Sequence, residues 1–359
     1  MLYHLLYPLH DKFNALNVIR YITFRTFAAM VTAMVIYFLF GRRLIAYMQK
    51  KQFWQAIRDD GPVMHLNKGK TPTMGGVLIW ISIIVSTLLW SRLDNPYVFL
   101  ALGVALAYAL IGFLDDYRKV ILKDSHGLRA RYKFPLQVGV TIAAAMILFD
   151  GLGFDRHLGL PFVKSFYPLL SVGAFVAVAT FIIVGTSNAV NLTDGLDGLV
   201  AVPAIMSFFA FAVLCYVAGH LKIAAYLAVP FIPGAGELTV LCGAVVGALI
   251  GFLWYNAHPA DIFMGDVGAL PLGAVLGLVA LITKNEFLLI LIGGIFVLET
   301  VSVITQVVSF KLTGKRVFKM APIHHHFELK GWKESKVIVR FWIIALVLAL
   351  LSLATLKIR

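Results

Sequence analysis

The chain alternates between long apolar stretches and short polar segments. Ten stretches carry almost no charge. A helix needs roughly 20 mainly apolar residues to cross a bilayer, so each stretch is a candidate membrane span. The pattern predicts an all-α polytopic membrane protein with ten transmembrane helices, at 21–41, 73–90, 97–114, 134–149, 167–186, 199–218, 238–254, 267–283, 287–310 and 338–356.

Composition agrees with this pattern. The chain is 60% hydrophobic and only 14% charged, whereas a soluble domain carries about a quarter charged residues. No repeat or long linker divides the chain, so we expect a single integral membrane domain over 1–359. Both cysteines fall inside predicted spans, so a disulfide framework is not indicated.

Basic residues are unevenly distributed between the two sides of the predicted bundle. The loops 42–72, 115–133 and 311–337 hold twenty lysines and arginines, and the opposite loops hold five. Cytoplasmic loops carry the excess of positive charge. The basic side is therefore predicted to be cytoplasmic, with both termini outside. The net charge of +13 then faces anionic lipid headgroups, and we expect no nucleic-acid partner.

Acidic residues concentrate on the same predicted face, beginning with "FLDDYRK". Asp115 and Asp116 end the third span, where the helix dipole disfavours negative charge. A nearby cation is therefore expected, either a metal ion or the side chains of Lys119 and Lys133. Adjacent carboxylates can bind Mg²⁺, or one can act as base or nucleophile. A solvated helix end is the alternative.

The stretch "NAVNLTDGLDGL" is the most specific in the chain. Two amides and two carboxylates recur every three residues, at Asn188, Asn191, Asp194 and Asp197. Neighbouring members share a face if the segment is helical, and Gly195 lets a ligand approach the backbone. The pattern suits a sugar or a nucleotide. A capping turn or a Ca²⁺ loop are the alternatives, although the EF-hand pattern is absent.

A third polar stretch, "WYNAHPADIFMGDVGAL", joins the seventh and eighth predicted spans. Asp266 stands at the start of the eighth span, and Asn256 offers a neutral hydrogen-bonding amide. Phe263 is an aromatic residue in a polar turn and can stack on a base. Aromatic residues are also common as membrane-interface anchors, which is the alternative for Phe263.

The segment "HLNKGKTPTMGG" precedes the second span. Lys68 and Lys70 are predicted to contact phosphate, although the spacing is not that of a P-loop. The rule that places positive charge on the cytoplasmic side explains these lysines equally well.

The triple histidine in "APIHHHFELKG" has three possible explanations. It is internal, so it is not a tag. No cysteine lies on this face and adjacent histidines diverge, so a structural zinc site is disfavoured. Imidazoles suit phosphate oxygens near neutral pH. Together with the acidic loops, the stretch predicts a phosphate-handling active site on the cytoplasmic face.

These motifs resemble one family, the polyprenyl-phosphate N-acetylhexosamine-1-phosphate transferases. The resemblance covers essentially the whole chain and rests on "DDYRK", "NAVNLTDGLDGL", "NAHPADIFMGDVGAL" and the last basic loop. Within the family, "MAPIHHHFELKGW" resembles the members whose donor is UDP-MurNAc-pentapeptide. The implied reaction passes phospho-N-acetylmuramoyl-pentapeptide to undecaprenyl phosphate, giving lipid I and UMP. The resemblance further implies a Mg²⁺ cofactor, a homodimer and the bacterial cytoplasmic (inner) membrane.

The resemblance also implies roles for individual residues. Asp266 is expected to ligate Mg²⁺ with Asp115 and Asp116 close by, and one of that pair either deprotonates the lipid phosphate or attacks the diphosphate. Direct transfer is favoured, because a phosphate dianion is already a nucleophile. The implied catalytic residues are Asp115, Asp116, Asp266 and His324. The implied substrate-binding residues are Lys68, Lys70, Thr73, Lys119, Lys133, Asn188, Asn191, Asp194, Gly195, Leu196, Asp197, Asn256, Phe263, His325 and His326.

Two other functions compete with this prediction. A sister enzyme that transfers GlcNAc-1-phosphate shares the aspartate motifs and differs in the histidine loop. A transporter usually holds its ligand near the bilayer midplane. Here the acids lie at span ends and the span interiors carry almost no ionisable residue, which disfavours transport.

Overall fold

The structure is a computed structural model that describes residues 1–54, 71–124, 126–159 and 168–357. Regular structure in these residues is helical, apart from two isolated β-bridges. The α-helices are α1 Leu2–Leu6, α2 Ile22–Lys50, α3 Gly76–Trp90, α4 Pro96–Val120, α5 Ala130–Met146, α6 Val172–Thr193, α7 Ala201–Ala218, α8 Leu221–Leu227, α9 Leu238–Asn256, α10 Asp266–Ile282, α11 Leu288–Ile292, α12 Gly294–Thr313, α13 Ile323–Glu328 and α14 Glu334–Ala354.

Eight described helical segments are long and apolar enough to cross a membrane. They are α2, α4, α6, α7, α9, α12, α14 and the segment Ala130–Gly151, in which α5 continues into a short π-helical turn. Two further apolar helices are shorter, α3 with 15 residues and α10 with 17. The predicted class, an all-helical polytopic membrane protein, is confirmed. Ten crossings remain a prediction, because α3 and α10 are short.

Several helix boundaries differ from the predicted ones. Helix α6 begins after Ser171, whose hydroxyl caps it by accepting from the Ala174 N–H at 3.2 Å. It then continues past 186 to Thr193. The predicted span 287–310 is divided into α11 and α12 at Gly293. Hydropathy marks the apolar part of a helix, whereas caps and glycines decide where the helix begins and ends.

Helix α10 is the centre of the bundle. Every residue from Val267 to Ile282 is buried, and the helix packs against α3, α4 and α6. A helix that is apolar on all sides belongs in the interior. The approach is very close, since a Cβ added to Gly76 of α3 would lie 2.3 Å from the Gly268 Cα atom. Small residues at helix contacts allow such an approach between membrane helices.

The expectation that span interiors carry almost no ionisable residue needs correction at two positions. Arg25 of α2 is 1% exposed and donates from both terminal nitrogens to Glu237, at 2.6 Å each. Glu299 of α12 is fully buried. A charge buried in a membrane helix is costly unless it is paired, so each of these residues requires a partner.

Candidate active site

Three aspartates meet where the end of α4 faces the start of α10. Asp115 and Asp116 lie in the penultimate turn of α4, and Asp266 is the first residue of α10. Their carboxylate oxygens all lie within 4.8 Å of one another. The backbones can approach because α4 has a glycine at 112, directly against the Asp266 backbone. The structure thus brings together the three predicted metal ligands from two distant parts of the sequence.

Backbone N–H groups fix two of these carboxylates. Asp116 accepts from the Val267 N–H at 2.9 Å, and Asp115 accepts from the Leu128 N–H at 2.7 Å. The Val267 N–H has no acceptor within its own helix, because it belongs to the first turn of α10. Asp116 therefore caps α10 from α4, and the positive end of the α10 dipole stabilises its charge.

Two lysines supply the cations that the adjacent aspartates require. The Lys133 Nζ lies 2.6 Å from Asp266 Oδ2 and 3.6 Å from Asp115 Oδ2. The Lys119 Nζ lies 3.2 Å from Asp266 Oδ2 and also pairs with Asp115, one helical turn earlier. Three carboxylates with two ammonium groups retain one formal negative charge. The cluster is therefore able to accept a divalent cation.

The two asparagines of α6 point to different places. Asn191 donates to Asp266 Oδ1 at 2.7 Å and so belongs to the aspartate cluster. Asn188 instead donates to the Gln137 side chain of α5 at 2.9 Å and to the Val184 carbonyl. The structure thus places Asn191 in the site and uses the Asn188 amide to join α5 to α6.

Helix α6 ends at Thr193, so the aspartates that follow lie on a turn and not on a helical face. Asp194 is half-buried. This burial, together with the nearby negative charges of Asp266 and Asp197, raises the pKa of its carboxyl group to about 7. Asp197 is buried and accepts from the Ala260 N–H at 3.1 Å. Gly198 has a positive φ of 73°, a conformation that favours glycine.

Asn256 connects this turn to the loop before α10. It is 2% exposed, accepts from the Gly198 N–H at 2.9 Å and donates to the Ile262 carbonyl at 2.8 Å. Its contacts in the structure are therefore to the backbone. Leu196 is buried in an apolar cluster that includes Ile295 of α12 and Phe341 of α14.

The backbone of Phe263 joins the loop before α10 to the segment before α3. Its N–H donates to the Pro72 carbonyl and its carbonyl accepts from the Gly75 N–H, both at 2.8 Å. The Phe263 side chain is partly exposed. Thr73 is buried, and its hydroxyl and the Asp116 carboxylate both lie against Gly265, the residue before Asp266. Lys68 and Lys70 lie outside the described residues.

The three histidines occupy the short helix α13, and each has a different polar neighbour. His324 is fully buried, with its ring against Gly195 and its Nδ1 3.1 Å from Glu299 Oε1. His325 pairs with Glu328 at 2.7 Å. His326 accepts from the Lys319 N–H at 3.0 Å, and partial burial and two neighbouring lysines lower its pKa.

Sequence reasoning missed two further residues at this end of the bundle. His258 Nδ1 lies 3.0 Å from Asp197 Oδ2, and Glu334 of α14 accepts from the Asp197 N–H at 3.2 Å. His258 lies inside a quoted motif and could have been recognised. No local pattern marks Glu334, because its contact spans more than a hundred residues of sequence.

The arrangement defines a class of protein: a helical membrane protein with carboxylates, amines and imidazoles gathered at one end of the bundle. Comparison with known proteins gives the same class. The family model "Glycosyl transferase family 4" matches residues 98–284. This range includes all three aspartates and both lysines of the cluster.

Full-length relatives are also found. Phospho-N-acetylmuramoyl-pentapeptide-transferase from Syntrophus aciditrophicus is 55% identical over 360 residues, and that from Desulfatibacillum aliphaticivorans is 56% identical over 360 residues. The protein of the same name from Geobacter sp. (strain M21) is 52% identical over 359 residues. Each alignment covers 100% of both chains. The chain therefore belongs to glycosyl transferase family 4 and, within it, to the phospho-N-acetylmuramoyl-pentapeptide-transferases.

Proposed function

We propose that this transferase moves phospho-N-acetylmuramoyl-pentapeptide from UDP-MurNAc-pentapeptide to undecaprenyl phosphate, giving lipid I and UMP for peptidoglycan biosynthesis. The observation that carries the proposal is full-length identity of 51–56% to relatives that bear the name of this activity. The aspartate–lysine cluster supports it, because phosphoryl transfer depends on cations that neutralise charge on phosphate oxygens.

We infer that Asp115, Asp116 and Asp266 hold Mg²⁺. The donor set fits, because carboxylate oxygens are the ligands that Mg²⁺ prefers and these lie within 4.8 Å of one another. When bound, the ion neutralises charge on the donor diphosphate. Asn191 orients Asp266 through its 2.7 Å hydrogen bond, and Lys119 and Lys133 stand beside the same carboxylates. Either ammonium group can also contact a phosphate oxygen.

For the chemical step we infer direct attack by the lipid phosphate, with Asp115 or Asp116 able to take its proton. Both carboxylates are nearly inaccessible, at 1% and 4% exposure, and both already accept a backbone N–H. Such anchored groups favour the role of base or metal ligand over that of a nucleophile that must move. A phosphorylated peptide containing either residue, isolated during turnover, would contradict direct transfer.

The nucleoside end of the donor is proposed to lie between the Asp194–Gly198 turn and Phe263. Asn256 ties this turn to the loop that carries Phe263, so the two are held at a fixed separation. The partly exposed Phe263 ring can stack on uracil, and Asp194 can accept from a hydroxyl or the base N–H. Asp197 and Leu196, which are buried, support the turn from within.

The proposed topology has ten crossings, with both termini outside and the site at the cytoplasmic face of the bacterial inner membrane. The site is formed by the C-terminal ends of α4, α6 and α9 and the N-terminal ends of α5, α10 and α14. These ends lie beside the predicted basic loops, which supports the orientation. A homodimer is part of the same proposal.

Phe263→Ala is expected to weaken binding of the UDP-sugar more than binding of the lipid. Loss of an aromatic ring that stacks on a base costs about 1–3 kcal/mol. Michaelis constants for both substrates measure the difference, with Trp254→Ala as the matched control. Trp254 is 73% exposed on α9 and represents an interface anchor. Equal changes for both substrates in Phe263→Ala would support the interface-anchor role.

The experiment that tests the proposed function is UMP release by the purified protein with undecaprenyl phosphate and one of two donors, in Mg²⁺ or EDTA. We expect release from UDP-MurNAc-pentapeptide, and we expect EDTA to abolish it. Release from UDP-GlcNAc instead would indicate the sister enzyme. Folded protein that releases UMP from neither donor would overturn the proposal and favour transport.

A further inference from the structure

Glu299 is an acidic residue inside a membrane helix, and the proposed chemistry does not use it. It is fully buried on α12, on the face that also buries Ile295 and Ser302. In the described part of the chain, neither carboxylate oxygen has a partner with hydrogen-bond geometry. A carboxylate kept at such a position is costly, and function is the usual reason for its retention.

The nearest cation-forming group is a histidine from the third basic loop. His324 Nδ1 lies 3.1 Å from Glu299 Oε1, and the two side chains are 1% and 0% exposed. Both His324 ring nitrogens also lack hydrogen-bond geometry within the described residues. The two groups are thus in contact and are enclosed together in the interior.

The opposite edge of the His324 ring touches the turn that follows α6. A Cβ added to Gly195 would lie 2.4 Å from His324 Nε2 and 2.8 Å from Cε1. No side chain other than hydrogen fits between the ring and this backbone. A rotation of the ring would therefore press on the Asp194–Gly195 backbone, and Glu299 contacts the same ring at its other nitrogen, Nδ1.

We propose that Glu299 is a positioning residue that acts through His324 on the Asp194–Gly195 turn. The carboxylate accepts a hydrogen bond from the Nδ1–H of His324. This bond fixes the plane of the ring and leaves Nε2 against the turn. Carboxylates orient histidine rings in this way at metal sites. The inference rests on the proposed function, because the turn belongs to the proposed donor pocket.

Helix α12 is also linked to the Asp194–Gly195 turn by an apolar cluster. Leu196, in the same turn, packs in an apolar cluster with Ile295 of α12 and Phe341 of α14. Ile295 lies one helical turn before Glu299. One face of α12 is therefore linked to the donor turn in two ways, through the apolar cluster that contains Leu196 and through His324, which lies against Gly195.

Glu299→Gln tests the inference, with the affinity of UMP for the purified protein as the readout. We expect UMP to bind about tenfold more weakly, the lower end of what loss of an orienting carboxylate costs at a metal-bound histidine. The Michaelis constant for undecaprenyl phosphate should not change. The thermal unfolding temperature should not fall, because glutamine keeps the volume and removes a poorly hydrogen-bonded carboxylate.

A double-mutant cycle shows whether Glu299 acts through His324. In a His324→Asn background, Glu299→Gln should add nothing to the loss of UMP affinity. Ser302→Ala is the matched control, since Ser302 is buried one turn further along the same face and bonds to the Glu299 carbonyl. We expect that variant to bind UMP as the unaltered protein does.

The outcomes separate the inference from the proposed function. If the unaltered protein neither binds nor releases UMP, the proposed function fails. If it does both and Glu299→Gln binds UMP equally well, only the positioning role fails. Additive losses in the cycle, or a lowered unfolding temperature with equal losses for both substrates, would assign Glu299 a purely structural role.

Discussion

Asp266→Asn is expected to lower UMP release by roughly 10³-fold, since metal-ion stabilisation is worth several kcal/mol and each 1.36 kcal/mol is tenfold. Asp266 is the carboxylate on which the cluster converges, with contacts from Lys119, Lys133 and Asn191. Asparagine keeps the shape and one oxygen but removes the charge that a divalent cation requires.

The control for this prediction is Asp261→Asn, which makes the same chemical change five residues earlier, in the loop that precedes α10. Asp261 is exposed, and its backbone N–H donates a hydrogen bond to the Tyr255 carbonyl. Both variants should be inserted in the membrane and should unfold at similar temperatures. Turnover by Asp266→Asn close to that of Asp261→Asn would exclude Asp266 as a metal ligand.

Gly112→Ala is expected to reduce both stability and turnover without touching any charged group. A Cβ at position 112 would lie 2.3 Å from the Asp266 carbonyl oxygen and 2.7 Å from the Val267 Cα atom. These are backbone atoms of α10, so α4 must move away from them. Overpacking typically costs about 1–3 kcal/mol, and displacing a reacting group by about 1 Å can cost roughly 10²-fold in rate.

Gly103→Ala is the matched control, because the same helix carries this glycine with nothing within 4 Å of an added Cβ. Alanine is the better helix former, so this variant should be as stable as the unaltered protein or slightly more so. UMP release and thermal unfolding check both variants. Equal turnover in the two would show that the separation of α4 and α10 does not set the activity.

The three asparagines in the polar motifs do not have the same role in the structure. Asn188 and Asn256 carry the same amide group as Asn191, yet their described contacts join helices and loops. We therefore expect Asn191 to orient Asp266 directly and Asn256 to act on the donor through the backbone of the turn it supports.

The sequence by itself determined the membrane class and the residues that carry charge at the helix ends. Apolar stretches of near-bilayer length have one stable solution, the helix, because backbone groups in hydrocarbon must bond internally. Acids are rare in such a chain, so the few at span ends stood out, and the lysines near them were expected as their counter-charges. Asp115, Asp116, Asp266, Lys119 and Lys133 were recognised in this way, and the structure brings them together.

Only the tertiary structure decided which polar residues face the cluster and which support it. The pairing of Glu299 with His324 joins α12 to a loop helix, and the contact of Glu334 with Asp197 spans most of the chain's second half. Such contacts depend on how closely and at what angle the helices cross. Glycines at the crossing points, such as Gly76 and Gly112, allow the close approach. Hydropathy contains no information about that geometry, so the fully buried His324 and its two partly exposed neighbours appear identical in "HHH".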